Sequence, residues 1–168
     1  MMDNCTIREL DKQSQEDWAF FDALQLDSFK ASLLDGDKLS EKELLEKYKK
    51  LEEEVPIDYH SPNQKMYILE TTEGEKAGLI WFCDREPFWR FKTQHVWIYN
   101  LNVLPKFRRK GLASKLMNLA EEYAKKEGLD AIALHVVEFN TRARKLYEKL
   151  GYRLVATHNE SCFYEKKI

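Results

Sequence analysis

A basic turn in the second half of the chain carries residues that are suited to binding a phosphate. Four cations and a glycine lie in the run Val103-Leu104-Pro105-Lys106-Phe107-Arg108-Arg109-Lys110-Gly111-Leu112-Ala113, between a predicted strand and a predicted helix. Free backbone N–H groups at a helix start bind phosphate, and glycine lets the backbone approach it closely. The pattern therefore predicts an anion site, although a short basic turn is also typical of a solvated surface. Neither GxxxxGK[ST] nor GxGxxG occurs, which excludes a P-loop and a dinucleotide fingerprint.

A second set of candidate residues follows about thirty positions later. Asn140 precedes a run in which Ala143, Leu146, Tyr147 and Leu150 share one helical face. From these residues alone, Asn140 is an N-cap and Tyr147 is part of the apolar face, so both have a structural interpretation.

The elements that position these residues follow from the hydrophobic pattern. Period-two or continuous apolar runs predict strands, and helices are indicated by apolar spacing with capping signals, such as Ser40 with Glu43. We expect strands over residues 5–10, 65–71, 76–84, 95–103, 131–137, 152–156 and 161–166. We expect helices over residues 17–34, as one helix or a pair, over 40–55, from Gly111 to near Gly128, and from Asn140 to Gly151. This order predicts one mixed α/β domain spanning residues 1–168 around a central sheet.

Composition narrows the class of protein. The chain has 168 residues, of which 43% are hydrophobic and 33% charged, values typical of a globular domain. A net charge of -2 gives no general attraction to nucleic acid or to anionic membranes. The cysteines at 5, 83 and 162 lack metal-ligand spacing, and no secretory signal or membrane-length apolar run is present. We expect no metal, no nucleic-acid or membrane partner, and a cytoplasmic location.

The basic turn and the later motifs together resemble the GCN5-related N-acetyltransferase (GNAT) family. The family signature [Q/R]-x-x-G-x-[G/A] is matched by Arg108, Gly111 and Ala113, and later motifs by Leu134-His135-Val136, Asn140 and the run 146–152. The resemblance covers residues 65 to the C-terminus, whereas residues 1–60 match only in outline. It implies a mostly antiparallel central sheet flanked by helices, with a splayed parallel strand pair, so that the split lies between the strands ending at Val103 and Val137.

The same resemblance implies acetyl-CoA as cosubstrate and assigns residues to it. Backbone amides of residues 109–114 would cradle the pyrophosphate, Leu101 and Val103 would bond the pantetheine arm, and Asn140 would contact that arm. Tyr147 would lie beside the sulfur. The full set of implied cofactor-binding residues is Leu101, Asn102, Val103, Arg108, Arg109, Lys110, Gly111, Leu112, Ala113, Ser114, Asn140, Ala143 and Tyr147.

Acetyl transfer to an amine needs a base for the amine proton, a donor for the oxyanion and an acid for the departing thiolate. Tyr147 is the candidate acid, since its reference pKa of about 10 exceeds that of a thiol, about 8.5. A backbone N–H near Leu101, where the family strand bulges, would polarise the carbonyl. Relatives often carry a strand carboxylate where this chain has Asn100 and Asn102, so His135 is the candidate base. Glu138, Glu70 or a water relay are the alternatives, and His135 also has a structural interpretation.

The acceptor side is expected to involve helices 17–34 and 40–55 and the loop 85–94, which contains Pro87-Phe88-Trp89-Arg90-Phe91. Packing beneath the loop is the other explanation of these aromatic residues. The acceptor of the predicted N-acetyltransferase remains open among a peptide N-terminus, a lysine side chain, an amino sugar and a small amine. A catalytically silent acyl-CoA sensor and, through residues 106–110, a nucleic-acid-binding domain are the competing functions; the protein is expected to be a monomer or a homodimer.

Overall fold

A computed structural model describes residues 4–168 and contains one sheet with helices on both faces. The strands are β1 (Cys5–Glu9), β2 (Gln64–Thr71), β3 (Lys76–Arg85), β4 (His95–Val103), β5 (Ala131–Val137), β6 (Arg153–His158) and β7 (Ser161–Lys167). The helices are α1 (Gln15–Ala31), α2 (Glu41–Glu54), α3 (Leu112–Lys126) and α4 (Thr141–Lys149). Short 3-10 turns occupy Gly36–Lys38 and Pro105–Phe107.

The sheet is antiparallel except at its centre. Its strand order is β1-β2-β3-β4-β5-β7-β6, and only β4 and β5 run parallel. They pair with each other at Val96/Ile132, Trp97/Ala133 and Ile98/Leu134. Beyond these pairs, β4 continues to Val103 and β5 to Val137, each bonded only to its outer neighbour, β3 or β7. A parallel pair needs a crossover connection, which α3 provides. This confirms the expected fold class and the split between the two strand ends.

Each face of the sheet has its own core. On one face, Leu116 and Met117 of α3 and Tyr147 of α4 belong to a buried cluster with Ile98 and Leu134. On the other face, α1 buries Phe21 and Leu24 against side chains of β2 and β3 that include Met66, Ile68, Leu79 and Trp81. Burying each such side chain contributes about 1.5–3 kcal/mol, so both helical layers are firmly held on the sheet that carries the split.

Helix α2 forms where the sequence predicts it, but most of its residues are exposed. Its capping box is present: the Ser40 hydroxyl accepts from the Glu43 N–H while the Glu43 carboxylate accepts from the Ser40 N–H. Of its apolar residues, Leu44 is buried, whereas Leu51 and the C-cap residue Val55 are exposed. The helix is packed on α1 rather than on the sheet, through contacts such as Phe29 with Tyr48, whose ring centroids lie 5.3 Å apart. None of the described helices combines the length and apolarity needed to cross a membrane.

Candidate active site

A bulge in β4 orients the side chains at the start of the split. Trp81 of β3 lies opposite Asn100 and Phe82 opposite Ile98, which leaves Tyr99 as the extra residue. Tyr99 stacks on Trp81 with ring centroids 4.3 Å apart. The family resemblance implies a bulge near Leu101; the structure places it two residues earlier.

The split opens into a cleft of about 990 Å³. Most of the predicted site residues line it: Leu101, Asn102, Val103, Arg108, Arg109, Gly111, Ala113, Ser114, His135, Asn140, Ala143 and Tyr147. Lys110 and Leu112 are not among the lining residues. Leu112 is buried in the core, and the Lys110 ammonium lies 5.9 Å from the ring centroid of Phe107.

The basic turn presents unpaired backbone donors to the cleft. Among the described residues, no acceptor receives the N–H groups of residues 109–114, and Gly111, the N-cap of α3, has no side chain to cap the helix. Arg109 and Gly111 have φ of +64° and +75°, in the left-handed region that turns successive N–H groups toward one concave side. An added Cβ at Gly111 would meet nothing within 4 Å, so the space beside this backbone is open.

Arg108 has a structural function as well. Its Nε donates to the Val103 carbonyl at 2.7 Å, which ties the turn to the end of β4. Burial and the nearby charge of Arg142 lower the pKa of Arg108, although the group remains a cation at neutral pH. The arrangement leaves a positive potential at the turn, which favours an anion there.

Helix α4 forms the opposite wall. The Asn140 side-chain oxygen accepts from the Ala143 N–H at 3.2 Å, so the N-cap interpretation is confirmed, and the residue also lines the cleft. Tyr147 is only 8% exposed, and burial raises its pKa to about 12. No described residue hydrogen-bonds to the Tyr147 hydroxyl. The hydroxyl is therefore a protonated donor available to a bound molecule.

Two lining cations of α4, Arg142 and Lys149, were missed from the sequence. They stand seven residues apart, two helical turns, and therefore share the face that carries Ala143 and Leu146. This periodicity was the available signal. With Arg108 and Arg109 they give the cleft four positive side chains.

Asn100 and Asn102 bind helix α1. The Ser28 hydroxyl donates to the Asn100 side-chain oxygen at 2.9 Å, and the Asn102 amide donates to the Ser28 hydroxyl at 3.2 Å and to an Asp27 carboxylate oxygen at 3.4 Å. The Asn100 amide also donates to Gln25. Both asparagines are buried. The Asn102 side chain is thus committed to α1, and only its backbone faces the implied cofactor.

His135 lies at the cleft on the face of the sheet opposite α3. Its ring centroid is 5.8 Å from that of Trp97 and 5.5 Å from that of Phe163, although the residue remains exposed. Desolvation beside these rings and the Arg85 charge lower the pKa of His135, which keeps it neutral at pH 7. Of the alternative bases, Glu70 pairs with Arg8 at 3.1 Å outside the cleft, and Glu138 is not a lining residue.

The aromatic loop 85–94 lies outside the cleft lining. Phe91 is fully buried and Phe88 bridges back to it by backbone hydrogen bonds. The guanidinium carbon (Cζ) of Arg85 lies 3.8 Å from the ring centroid of Phe88 and 4.8 Å from that of Trp97. These contacts support the packing explanation of the loop aromatics.

Comparison with known proteins identifies the family. A profile of the Acetyltransferase (GNAT) family matches residues 27–152, more than half of the chain. The chain belongs to this family. It is 28% identical over 146 residues to the uncharacterized N-acetyltransferase YdgE of Bacillus subtilis, covering 86% of this chain and 91% of that protein. The GNAT fold is shared with the PaiA N-acetyltransferase of Thermoplasma acidophilum, solved with coenzyme A (TM-score 0.71, 22% identity, 98% and 99% of the two chains).

Proposed function

We propose that this GNAT protein binds acetyl-CoA in the cleft between β4 and β5 and transfers the acetyl group to a primary amine. The observation that carries the proposal is the pairing of two features at one site. One is the unpaired edge of β4 beyond Ile98, and the other is the turn whose N–H groups at residues 109–114 have no described acceptor. Together they match a ligand with an amide-bearing arm and a pyrophosphate.

In the proposed binding mode, the N–H groups of residues 109–114 hold the pyrophosphate, and the cations of the turn and of α4 balance its charge. Leu101 bonds the pantetheine arm as a neighbouring strand would. The Val103 carbonyl already accepts from Arg108, so Val103 contributes through its remaining backbone group. Asn140 uses its oxygen as the helix cap, which leaves its amide donor for the arm.

The proposed chemistry divides between the two sides of the cleft. Acetyl-CoA supplies an activated thioester. His135, neutral because its pKa is lowered, takes the proton of the attacking amine directly or through water. A backbone N–H at the Tyr99–Leu101 bulge polarises the acetyl carbonyl. Tyr147, protonated because its pKa is about 12, donates to the departing sulfur.

Release of free thiol in the presence of candidate amines tests this function. Acetyl-CoA is incubated with the protein and, in separate reactions, with a peptide N-terminus, a lysine derivative, an amino sugar and a small alkylamine. We expect amine-dependent thiol release with at least one class, and the acetylated amine by mass spectrometry. Tight acetyl-CoA binding without release for any class would contradict the enzyme and favour the acyl-CoA sensor.

The proposal also covers the domain organisation, cellular location, oligomeric state and partners of the protein. It treats residues 1–168 as one domain that acts in the cytoplasm as a monomer or homodimer, without nucleic acid or membrane. In support, strands from both ends of the chain share one sheet, and the three cysteines are free and buried.

A further inference from the structure

One carboxylate enters the cleft, and it comes from a helix. Asp27 is the only acidic residue among the described residues that line the cleft, whereas Arg108, Arg109, Arg142 and Lys149 are cations. Asp27 lies near the C-terminal end of α1 and is exposed to solvent. Negative charge in the cleft is therefore concentrated at this one position, on the α1 side.

The Asp27 carboxylate is held by the strand that carries the proposed reaction site. Its Oδ2 accepts from the Asn102 amide at 3.4 Å, and the adjacent Ser28 accepts from Asn102 and donates to Asn100. Because Asn100 and Asn102 are buried, these bonds fix this turn of α1 against β4. The neutral Asn102 amide does not cancel the charge of the carboxylate. The Asp27 charge partly offsets the lowering of the Arg108 pKa, so the two groups interact, but no salt bridge joins them among the described residues, and Asp27 retains its capacity to bind a cation.

We infer that Asp27 is the acceptor-binding residue of this site and that it selects amines that are cationic at neutral pH. This inference rests on the proposed function and names the class of acceptor. An alkylamine, with a pKa near that of lysine, about 10.4, arrives as an ammonium ion. The Asp27 carboxylate pairs with that ion beside Asn102. The ammonium then gives one proton to His135, directly or through water, before the neutral amine attacks.

The test is a calorimetric titration of protonated amines into protein saturated with coenzyme A, which has no acetyl group and permits no turnover. The probes are n-butylamine and 1,4-diaminobutane at pH 7. We expect binding to the wild type and an affinity about tenfold lower or worse in Asp27→Asn, the loss typical of one charge-assisted hydrogen bond. The wild-type affinity should fall with added salt more steeply than that of the variant.

Glu16→Gln is the matched control, because Glu16 is an exposed acid on the same helix outside the cleft lining. It should bind both amines as the wild type does. Equal amine affinities in wild type and Asp27→Asn, or no amine binding to the wild type, would overturn the inference.

A coenzyme A titration precedes each amine titration. It distinguishes failure of the inference about Asp27 from failure of the proposed function. Loss of coenzyme A binding by the wild type would remove the function itself. Normal coenzyme A binding without a change in amine affinity would remove only the role of Asp27. If Asp27 served only to balance Arg108, the variant would change its affinity for coenzyme A instead.

Discussion

Tyr147 combines a buried ring with a hydroxyl that no described residue engages. The ring is buried in the core cluster beside Tyr152 and Tyr164, and the same burial that raises the pKa of Tyr147 to about 12 keeps the hydroxyl protonated at every pH of interest. A core tyrosine normally pairs its hydroxyl. The free hydroxyl of Tyr147 at the cleft wall is therefore suited to donate a hydrogen bond or a proton to a bound substrate.

Replacing Tyr147 by Phe removes the donor and keeps the ring. We expect kcat to fall about 100-fold, the lower range for loss of a general acid, with little change in the KM for acetyl-CoA. Tyr152→Phe is the control, because its ring lies 6.0 Å from that of Tyr147 but outside the cleft lining. Steady-state kinetics with unchanged kcat in Tyr147→Phe would exclude the acid role.

His135 is predicted to set the acidic limb of the pH profile. Its lowered pKa means that the imidazole is neutral and able to accept a proton above about pH 6.5, and that it loses this capacity as pH falls through the lowered pKa. We therefore expect kcat/KM to decline on acidification below the ordinary histidine pKa, beyond the loss due to amine protonation. His135→Ala should abolish this limb.

His158→Ala serves as the comparison for His135→Ala, since His158 is exposed, contacts Trp89 and does not line the cleft. Its profile should match that of the wild type. The same acidic limb in His135→Ala as in the wild type would assign proton removal to a water relay.

Strand β4 is positioned for the site by a close approach of β3. A Cβ at Gly78 would lie 2.7 Å from the Asn102 carbonyl oxygen and 3.3 Å from the Val103 Cα. Both atoms belong to the backbone of the strand that borders the cleft, which cannot yield as a flexible side chain would. The observed position of β4 next to β3 therefore requires glycine at position 78.

Gly78→Ala should displace β4 at the cleft. Such overpacking costs about 1–3 kcal/mol of unfolding free energy, and we expect weaker acetyl-CoA binding to accompany it. Gly74→Ala is the control, because it lies in the β2–β3 turn at φ +86° with open space around it, and should cost stability alone. Denaturant unfolding and calorimetry would measure both quantities; unchanged cofactor affinity in Gly78→Ala would contradict the coupling.

The elements that depend on local pattern were predictable from the sequence, and those that depend on distant contacts were not. Strands β3 to β5, the capping box at Ser40 and the helix start at Gly111 follow from short-range spacing. The bulge at Tyr99 depends on the register with β3, which the sequence of β4 alone does not contain. The contribution of Asp27 depends on the approach of α1 to Asn102, 75 residues away in the chain.

At the scale of the molecule, the cleft weakens the sheet at its centre, since β4 and β5 share only three residue pairs. The first strand and helix are joined by a charged clamp. The buried Asp17 accepts from Arg8 at 2.7 and 2.9 Å and from the Asp11 N–H at 2.9 Å. The Arg8 bonds hold the pKa of Asp17 below its ordinary value.

Because the pKa of Asp17 is lowered in the folded protein, we expect the free energy of unfolding to decrease at acidic pH. The stabilisation is complete above the ordinary aspartate pKa of about 3.9 and is lost as pH falls through the lower, folded-state pKa. We expect Asp17→Asn to cost about 2 kcal/mol at pH 7 and less as the pH is lowered through that range. Urea unfolding at several pH values would show this, with the exposed Asp37→Asn as control. A constant difference at all pH values would contradict the clamp.

The central claim is that the turn at Gly111 and the split sheet bind acetyl-CoA, and calorimetric titration tests it most directly. Wild type, Gly111→Ala and Gly111→Trp share the same backbone position at φ +75°, so the two variants have comparable strain but differ in the volume placed over the N–H groups. We predict binding by the wild type, reduced affinity in Gly111→Ala and an affinity at least about 100-fold lower in Gly111→Trp, because an indole would block the pyrophosphate position and its backbone bonds. A wild type that does not bind acetyl-CoA, or a Gly111→Trp variant that binds it as tightly as the wild type, would contradict the claim.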